Sequence, residues 1–429
     1  PGFSATATVR ISGPKSLQTI KSLTNKNSKN FDPGVNYVCN IYKKNNNILD
    51  KTVVVFFKKP TSYTGADMVE IHTHGNPIII SSLFKELDGL GLRLANPGEF
   101  TLTAFLNNKI DLVQAENVSA LIAAKTEDGV SLALNNSFGV ASKNFKAIQN
   151  NIINVLAHIE YELDTDDTTH LQTTLKQTHK NIAETINKIK NLLENYSSAK
   201  SLIQGPRVAI VGKPNVGKST LFNYLLKDDR AIVTNTPGTT RDVLGELCNI
   251  NGIHITLLDT AGLRETKNPV EKIGVEKSKI EKEKADLVLY VCDNEKHLKN
   301  ITKNTLTVFN KTDKLPKDIM LKLKKNHSGV NFVSAKNGTG FSKLKKALHT
   351  SLTTNNKNQN MFVVSERQKN ILESVLNQLI KAKKNTAPTE LELVSYDLNT
   401  ALNQFDQLLG KTTADDVLNV VFSGFCVGK

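Results

Sequence analysis

The spacing of apolar positions along the 429-residue chain changes character twice. Residues 1–107 contain short apolar runs broken by turn formers. Val53-Val54-Val55-Phe56-Phe57 and Met68-Val69-Glu70-Ile71 read as strands, and His74-Gly75-Asn76-Pro77 as the turn after the second. From 108 to 205 the period is helical: Ile152, Leu156, Ile159 and Leu163, then Leu175, Ile182, Ile186, Ile189 and Leu193. Asp164-Thr165-Asp166-Asp167 suits a turn between these two runs. From 206 to 350 the pattern changes again. Val208–Val211, Ile255–Leu258, Leu287–Val291 and Thr305–Phe309 read as buried-strand runs separated by helix-length segments, the pattern of a doubly wound parallel sheet. Helical periodicity returns towards the end. The expected architecture is multidomain, with an α+β domain at 1–107, a discontinuous α-helical domain at 108–205 and 351–429, and an α/β domain inserted at 206–350. The two helical parts are expected to pack together, because neither buries its apolar stripe alone.

The inserted region carries the strongest chemistry. Gly212-Lys213-Pro214-Asn215-Val216-Gly217-Lys218-Ser219 follows a strand directly, and Thr220-Leu221-Phe222-Asn223 reads as the opening of a helix. Backbone N–H groups of such a loop wrap phosphates, and the helix N-terminus adds partial positive charge. Lys218 is placed to reach the β- and γ-phosphates, and the Ser219 hydroxyl to bind Mg²⁺. Asp259-Thr260-Ala261-Gly262 ends a later strand, with Asp259 suited to the Mg²⁺ shell and the Gly262 amide to a γ-phosphate. Asn310-Lys311-Thr312-Asp313 ends another. The Asp313 carboxylate can accept from N1–H and N2–H₂ of guanine, which adenine does not offer. Ser334-Ala335-Lys336 can supply a backbone contact to the guanine oxygen. In this order the motifs predict a Ras-like P-loop G domain that binds GTP and GDP.

Two gaps in that pattern matter. Leu263 stands where many small GTPases carry a water-orienting Gln, and no arginine can be singled out as a transition-state finger. Glu265 and Glu271 are acidic candidates downstream, with a solvated helix-face charge as the alternative for each. The loop Thr234-Asn235-Thr236-Pro237-Gly238-Thr239-Thr240 instead offers carbonyls and hydroxyls, and Asn215 adds a side-chain oxygen. Oxygen ligands of this kind can hold a monovalent cation in place of an arginine. Thr240 is the natural second Mg²⁺ ligand.

Composition narrows the setting. The chain is 39% hydrophobic and 22% charged, as expected for a globular protein, with no apolar run long enough to span a membrane. Pro1-Gly2-Phe3-Ser4 does not read as a signal peptide, and the missing initiator Met suggests a truncated start. Cys39, Cys248, Cys292 and Cys426 form neither a zinc pattern nor a disulfide framework, which fits a cytoplasmic location. Lys+Arg 55 against Asp+Glu 41 gives +14, which favours anionic partners such as RNA, although the many Lys-Asn runs equally suit an AT-rich genome. His72 and His74 lie on one face of a strand. A metal pair and local packing are both open.

Four separated blocks together resemble the tRNA-modification GTPase MnmE (TrmE) family along essentially the whole chain. They are Val9-Arg10-Ile11-Ser12-Gly13; Pro97-Gly98-Glu99-Phe100 with Ala104-Phe105-Leu106-Asn107-Asn108-Lys109-Ile110-Asp111-Leu112; the GTPase motifs; and Phe425-Cys426-Val427-Gly428-Lys429. The resemblance implies that the N-terminal domain binds folate and dimerises. It implies addition of an aminomethyl or carboxymethylaminomethyl group at C5 of the wobble uridine of tRNA. The carbon would come from a tetrahydrofolate derivative in its 5,10-methylene or 5-formyl form, with an FAD-dependent MnmG-type partner in a heterotetramer. It further implies K⁺-stimulated pairing of G domains in a homodimer.

By motif, Asn215, Thr234, Thr236 and Thr239 would bind K⁺, Ser219 and Thr240 would bind Mg²⁺, and Glu271 would position the attacking water. Arg10, Glu70, Lys109 and Lys429 would contact folate, and Cys426 matches the family's C-terminal Cys. Read from the residues alone, Arg10 is equally a surface charge, Glu70 a paired strand residue, Lys109 a snorkelling helix residue and Cys426 a small buried hydrophobe. The chain departs from the family at Phe3, at Thr103 where an Arg is usual, and in the linker after Asp164. The competing function is an RNA- or ribosome-binding assembly GTPase.

Overall fold

The computed structural model describes residues 3–24, 31–164, 171–229, 245–259, 285–298, 304–353, 361–363, 365–385, 390–412, 415–425 and 428. The elements run β1 (Ser4–Ser12), α1 (Ser16–Leu23), β2 (Asn36–Tyr42), β3 (Ile48–Phe57), β4 (Met68–Gly75), α2 (Pro77–Gly89), α3 (Glu99–Leu106), α4 (Leu112–Ala123), α5 (Glu127–Ser137), α6 (Val140–Asp164), α7 (Leu171–Glu194) and α8 (Tyr196–Gln204). They continue with β5 (Arg207–Gly212), α9 (Lys218–Asp229), β6 (Gly245–Ile250), β7 (Ile253–Asp259), β8 (Leu287–Cys292), β9 (Thr305–Phe309), α10 (Lys317–Asn326), β10 (Asn331–Phe332), α11 (Phe341–Thr353), α12 (Glu366–Lys384), α13 (Leu391–Leu409) and α14 (Asp415–Ser423). The chain divides into two compact units. One holds Pro1–Ser119, Asn136–Asn187 and Asn370–Lys429, and the other Ala120–Asn135 and Lys188–Lys369.

In the first unit an antiparallel sheet has the order β1-β4-β3-β2. Alternation sends Val9, Ile11, Val54, Phe56, Val69 and Ile71 to one face, where Ile20 and Leu23 of α1 and Leu83 and Leu87 of α2 cover them. The other face receives Thr8, Arg10, Glu70 and His72. β4 extends through His74 and Gly75, which the sequence had placed in a turn. The reversal comes one residue later, where the Asn76 side chain caps α2 by accepting from Ile78 N (2.8 Å) and Pro77 takes the first helical position. The helical part of this unit joins segments far apart in sequence. Ile148, Ile152, Val155 and Ile159 of α6 are buried, as are Val394, Leu398, Ala401 and Phe405 of α13, and the two helices pack together. Gln149 donates to Asp406 (2.9 Å) across them.

The second unit holds a six-stranded sheet, β10-β9-β8-β5-β7-β6. It is not wholly parallel: β6 runs antiparallel to β7. β6 lay outside the expected set because Gly245–Ile250 has no continuous apolar run. Central β5 is buried at Val208, Ala209 and Ile210, as a strand covered on both faces must be. Leu221 and Leu225 of α9 and Leu344 and Leu348 of α11 pack on one face. Leu323 of α10 packs on the other, with Cys292 and Phe309.

Candidate functional sites

The parallel strands deliver their candidate residues into loops at the C-terminal sheet edge, where open α/β sheets bind ligands. The phosphate-loop residues follow β5, and α9 begins at Lys218, two residues earlier than expected, so Lys218 and Ser219 occupy the first turn of the helix. Val216 is buried in the core and anchors the loop. Asn215 adopts a left-handed conformation (φ 63°). Gly217 is required here: its φ is +93°, and a Cβ would lie 2.3 Å from Asn310 Nδ2. Lys218 Nζ donates to the carbonyls of Gly212 (3.1 Å) and Lys213 (2.9 Å), which holds its ammonium over the loop.

Asn310 ties this loop to the base-recognition segments. It is buried; its Nδ2 donates to Val216 O (2.9 Å), its Oδ1 accepts from Ala335 N (3.0 Å), and its own N–H donates to Cys292 O (2.7 Å). The Ala335 N–H is therefore engaged with Asn310. Lys311, also left-handed (φ 61°), donates to Asn215 O and to Asp293 Oδ2 (2.7 Å). Thr312 N donates to Val333 O (3.2 Å). Asp313 is exposed and accepts from Ser334 Oγ (2.6 Å). That hydroxyl, and then the charges of Lys336 and Lys314, hold its carboxyl below the usual carboxylate range. The result is a charged acceptor at the mouth of the loops, suited to the two N–H groups of guanine.

Two residues at this edge were missed by sequence reasoning. Asp293 anchors Lys311; its signal was a carboxylate immediately after a buried parallel strand. His297 faces the phosphate loop, its Nε2 2.8 Å from Lys213 Nζ, with no signal in the sequence. Burial pushes the neighbouring Cys292 thiol up to about 11, so it is inert. Asp259 ends β7, but its side chain lies outside the described residues, as do Thr234, Asn235, Thr236, Pro237, Gly238, Thr239, Thr240, Thr260, Ala261, Gly262 and Glu271.

A second group of candidates meets on the outer face of the antiparallel sheet. Register places Arg10 opposite Glu70, and Arg10 Nε donates to Glu70 Oε1 at 2.7 Å. Arg10 Nη1 donates to Gly428 O at 3.2 Å. The C-terminal segment is steered there by Phe422 and Phe425, which pack with Leu112, Ala115 and Phe105. Gly98 allows this approach: its φ is +72°, and a Cβ would lie 2.4 Å from Phe422 O. Lys109 is exposed in the turn after α3, not on a helix, and donates to Pro60 O (2.9 Å). The 58–66 loop it touches is itself tied to β1 by Thr64 and Ser12 (2.9 Å) and to Asn107, which donates to Thr64 O (2.7 Å). Cys426 and Lys429 lie outside the described residues. His72 and His74 engage different partners, Thr8 (2.9 Å) and Asp50 (2.7 Å). Among the described residues no cluster of His, Cys, Asp or Glu could hold a metal, and no helix is long and apolar enough to cross a membrane.

The sheet order and interlocked loops define a P-loop G domain with a guanine-type recognition segment, carried in a multidomain chain. Residues 1–109 match the family model of the GTP-binding protein TrmE N-terminus, and residues 112–426 that of the MnmE helical domain. The protein named tRNA modification GTPase MnmE from Fervidobacterium nodosum is 39% identical over 100% of this chain and 96% of its own length. That from Carboxydothermus hydrogenoformans is 38% identical over 98% and 96%. The chain belongs to the MnmE (TrmE) family of GTPases. Among solved structures, the G domain of the T. maritima FeoB iron transporter is 26% identical and covers 34% of this chain and 98% of that one. Its TM-score is 0.24, too low to add to the sheet order described above.

Proposed function

We propose that this chain is the GTP-hydrolysing component of a tRNA wobble-uridine C5 modification, which adds an aminomethyl or carboxymethylaminomethyl group together with an FAD-dependent MnmG-type partner. The observation that carries the reading is the bond from Arg10 to Gly428 O. A tail returned to an Arg–Glu pair on a second sheet serves a ligand-handling body. An assembly switch, the alternative reading, has no use for it. Relatives matched along their full length bear the name tRNA modification GTPase.

In this reading the chain is partitioned into three domains, with boundaries at 107, 205 and 350. The Asn215–Thr220 loop takes the phosphates of GTP, Asp313 takes the base, and Ser219 with Thr240 holds Mg²⁺, with Asp259–Gly262 closing the γ-phosphate side. Asn215, Thr234, Thr236 and Thr239 hold K⁺, whose charge replaces an arginine finger as two G domains of a homodimer meet. Glu271 orients the attacking water. The paired guanidinium and carboxylate of Arg10 and Glu70 offer donors and acceptors together, which suits a pterin ring, and Lys109 and Lys429 suit the ligand's carboxylates. The tetrahydrofolate derivative supplies the one-carbon unit when bound, and Cys426 lies beside that site in sequence. The folate body, the partner and the tRNA form a cytoplasmic heterotetrameric assembly.

Mass spectrometry of tRNA nucleosides from cells lacking the chain tests this. The modified wobble uridine is expected to disappear and to return with the intact gene. Its persistence alongside a ribosome-assembly defect would favour the assembly switch.

A further inference from the structure

The positive charge of this chain is not evenly spread. Residues 304–353 hold ten lysines, no arginine and two aspartates, a net +8 in a chain whose total is +14; a proportional share would be about +2. An AT-rich codon bias raises lysine everywhere but does not remove acids, so it leaves half of this excess unexplained. Some of these lysines have structural work, as Lys311 does with Asp293. Those of α10 do not. Among the described residues, no ion pair or hydrogen bond engages the ammonium of Lys317, Lys322, Lys324 or Lys325.

Helical geometry gathers them. Leu323 fixes the inner face of α10 against Cys292 and Phe309. At about 100° per residue, the opposite face carries Lys317, Leu321 and Lys325, with Asp318 the single acid, and Lys322 lies on the flank about 100° from Leu323. All five are exposed, and Leu321 is 67% exposed in their midst. Lys317 and Lys325 are eight positions apart, about 12 Å along the axis. A nucleic-acid duplex presents about seven phosphates over that length.

We infer that the outer face of α10, with the flank that carries Lys322, is a docking surface for the phosphate backbone of RNA, with Lys317, Lys322 and Lys325 as its contacts. The inference rests on the tRNA reading above and names the face that serves it. Lysines without arginine or aromatic neighbours hold phosphates as point charges and do not read bases, so the surface positions RNA without selecting its sequence. α10 starts four residues after Asp313, so RNA docked here lies beside the loop that recognises the nucleotide base.

The test uses the full chain and unfractionated tRNA, titrated at several KCl concentrations. The triple variant Lys317→Gln, Lys322→Gln, Lys325→Gln is compared with a charge-matched one on α7, Lys176→Gln, Lys180→Gln, Lys190→Gln. GDP affinity reports that each G domain is folded. The α10 variant is expected to lose about tenfold in tRNA affinity and to lower the slope of log K against log salt by about 3. The α7 variant should change by less than about twofold. Equal losses in both variants would show a diffuse charge effect and overturn the docking face, as would an unchanged α10 variant. If the unaltered chain binds no tRNA even at low salt, the docking face also falls, while the modification reading is judged separately by the nucleoside analysis.

Discussion

In the six-stranded sheet the described candidate residues stand in loops at the ends of parallel strands or, for Lys218 to Thr220, at the start of the helix that follows. In the four-stranded sheet Arg10 and Glu70 stand in mid-strand and meet because the register pairs them. The first arrangement gathers backbone groups. Asn310 holds three segments, Val216 and Ala335 through its side chain and Cys292 through its backbone N–H, so the phosphate and base ends of the site move as one piece. The second gathers side chains from 60 residues apart and adds a tail carbonyl 418 residues from Arg10. A loop site is rigid because its hydrogen bonds are buried and short in reach. A register site is as secure as its two strands and is completed only when the C-terminus arrives.

The sharpest way to break this contrast is Asp313→Asn. Guanine would lose two hydrogen bonds to a charged acceptor, so GDP affinity should fall at least about a hundredfold by calorimetric titration. Xanthosine nucleotides should gain, because an amide N–H can face the carbonyl that replaces the guanine amino group. Unchanged GDP affinity would place the base elsewhere. The Arg10–Glu70 pair should not respond.

Arg10→Ala probes the other region. It leaves the partly buried Glu70 carboxylate without its partner and Gly428 O without its donor. The pair is partly solvent-screened, so the cost is about 1 kcal/mol, seen as a small fall in thermal midpoint. The clearer readout is limited proteolysis: the C-terminal segment should be cleaved faster while GDP affinity stays at its original value. Loss of GDP affinity would show that the two regions are coupled.

Ser334→Ala should have the smallest effect. The Asp313 carboxyl is held low, so guanine binding is present above its ordinary titration range and is lost only as pH falls through the depressed value. Without the Ser334 hydroxyl that loss should begin at a higher pH. Affinity near neutrality should barely change, and the acid limb of a GDP-affinity profile should move upward. An unmoved limb would mean that Ser334 does not set the charge of Asp313.

Legibility in the sequence followed the same division. The strand runs at Val208, Ile255, Leu287 and Thr305 were readable because strands covered on both faces are mostly apolar and β-branched along their length. β6 was not, because a strand at the sheet edge needs no such run. The start of α9 was placed two residues late, since Lys218 and Ser219 read as loop chemistry although they are helical. Lys109 was read as helical because Phe105 and Leu106 are, yet the helix stops at Leu106 and the chain turns through Asn107 and Asn108, the latter at φ 55°. The contact of Asp293 with Lys311 and the clamp made by Asn310 depend on packing between loops, which the position of Asp293 after a strand does not reveal.

By itself the sequence determined the fold class, the phosphate loop, the guanine-recognition motif and the family, because each rests on short local motifs and apolar spacings, read one after another along the chain, that need no knowledge of what packs against what. The tertiary structure alone decided that Arg10 pairs with Glu70, that the tail closes on them, that Asn310 locks the nucleotide loops together, and that the lysines of α10 are left exposed around its buried Leu323. Those outcomes depend on strand register, long-range packing and the direction a helix turns its buried stripe, and none of these is encoded at a single stretch of the chain.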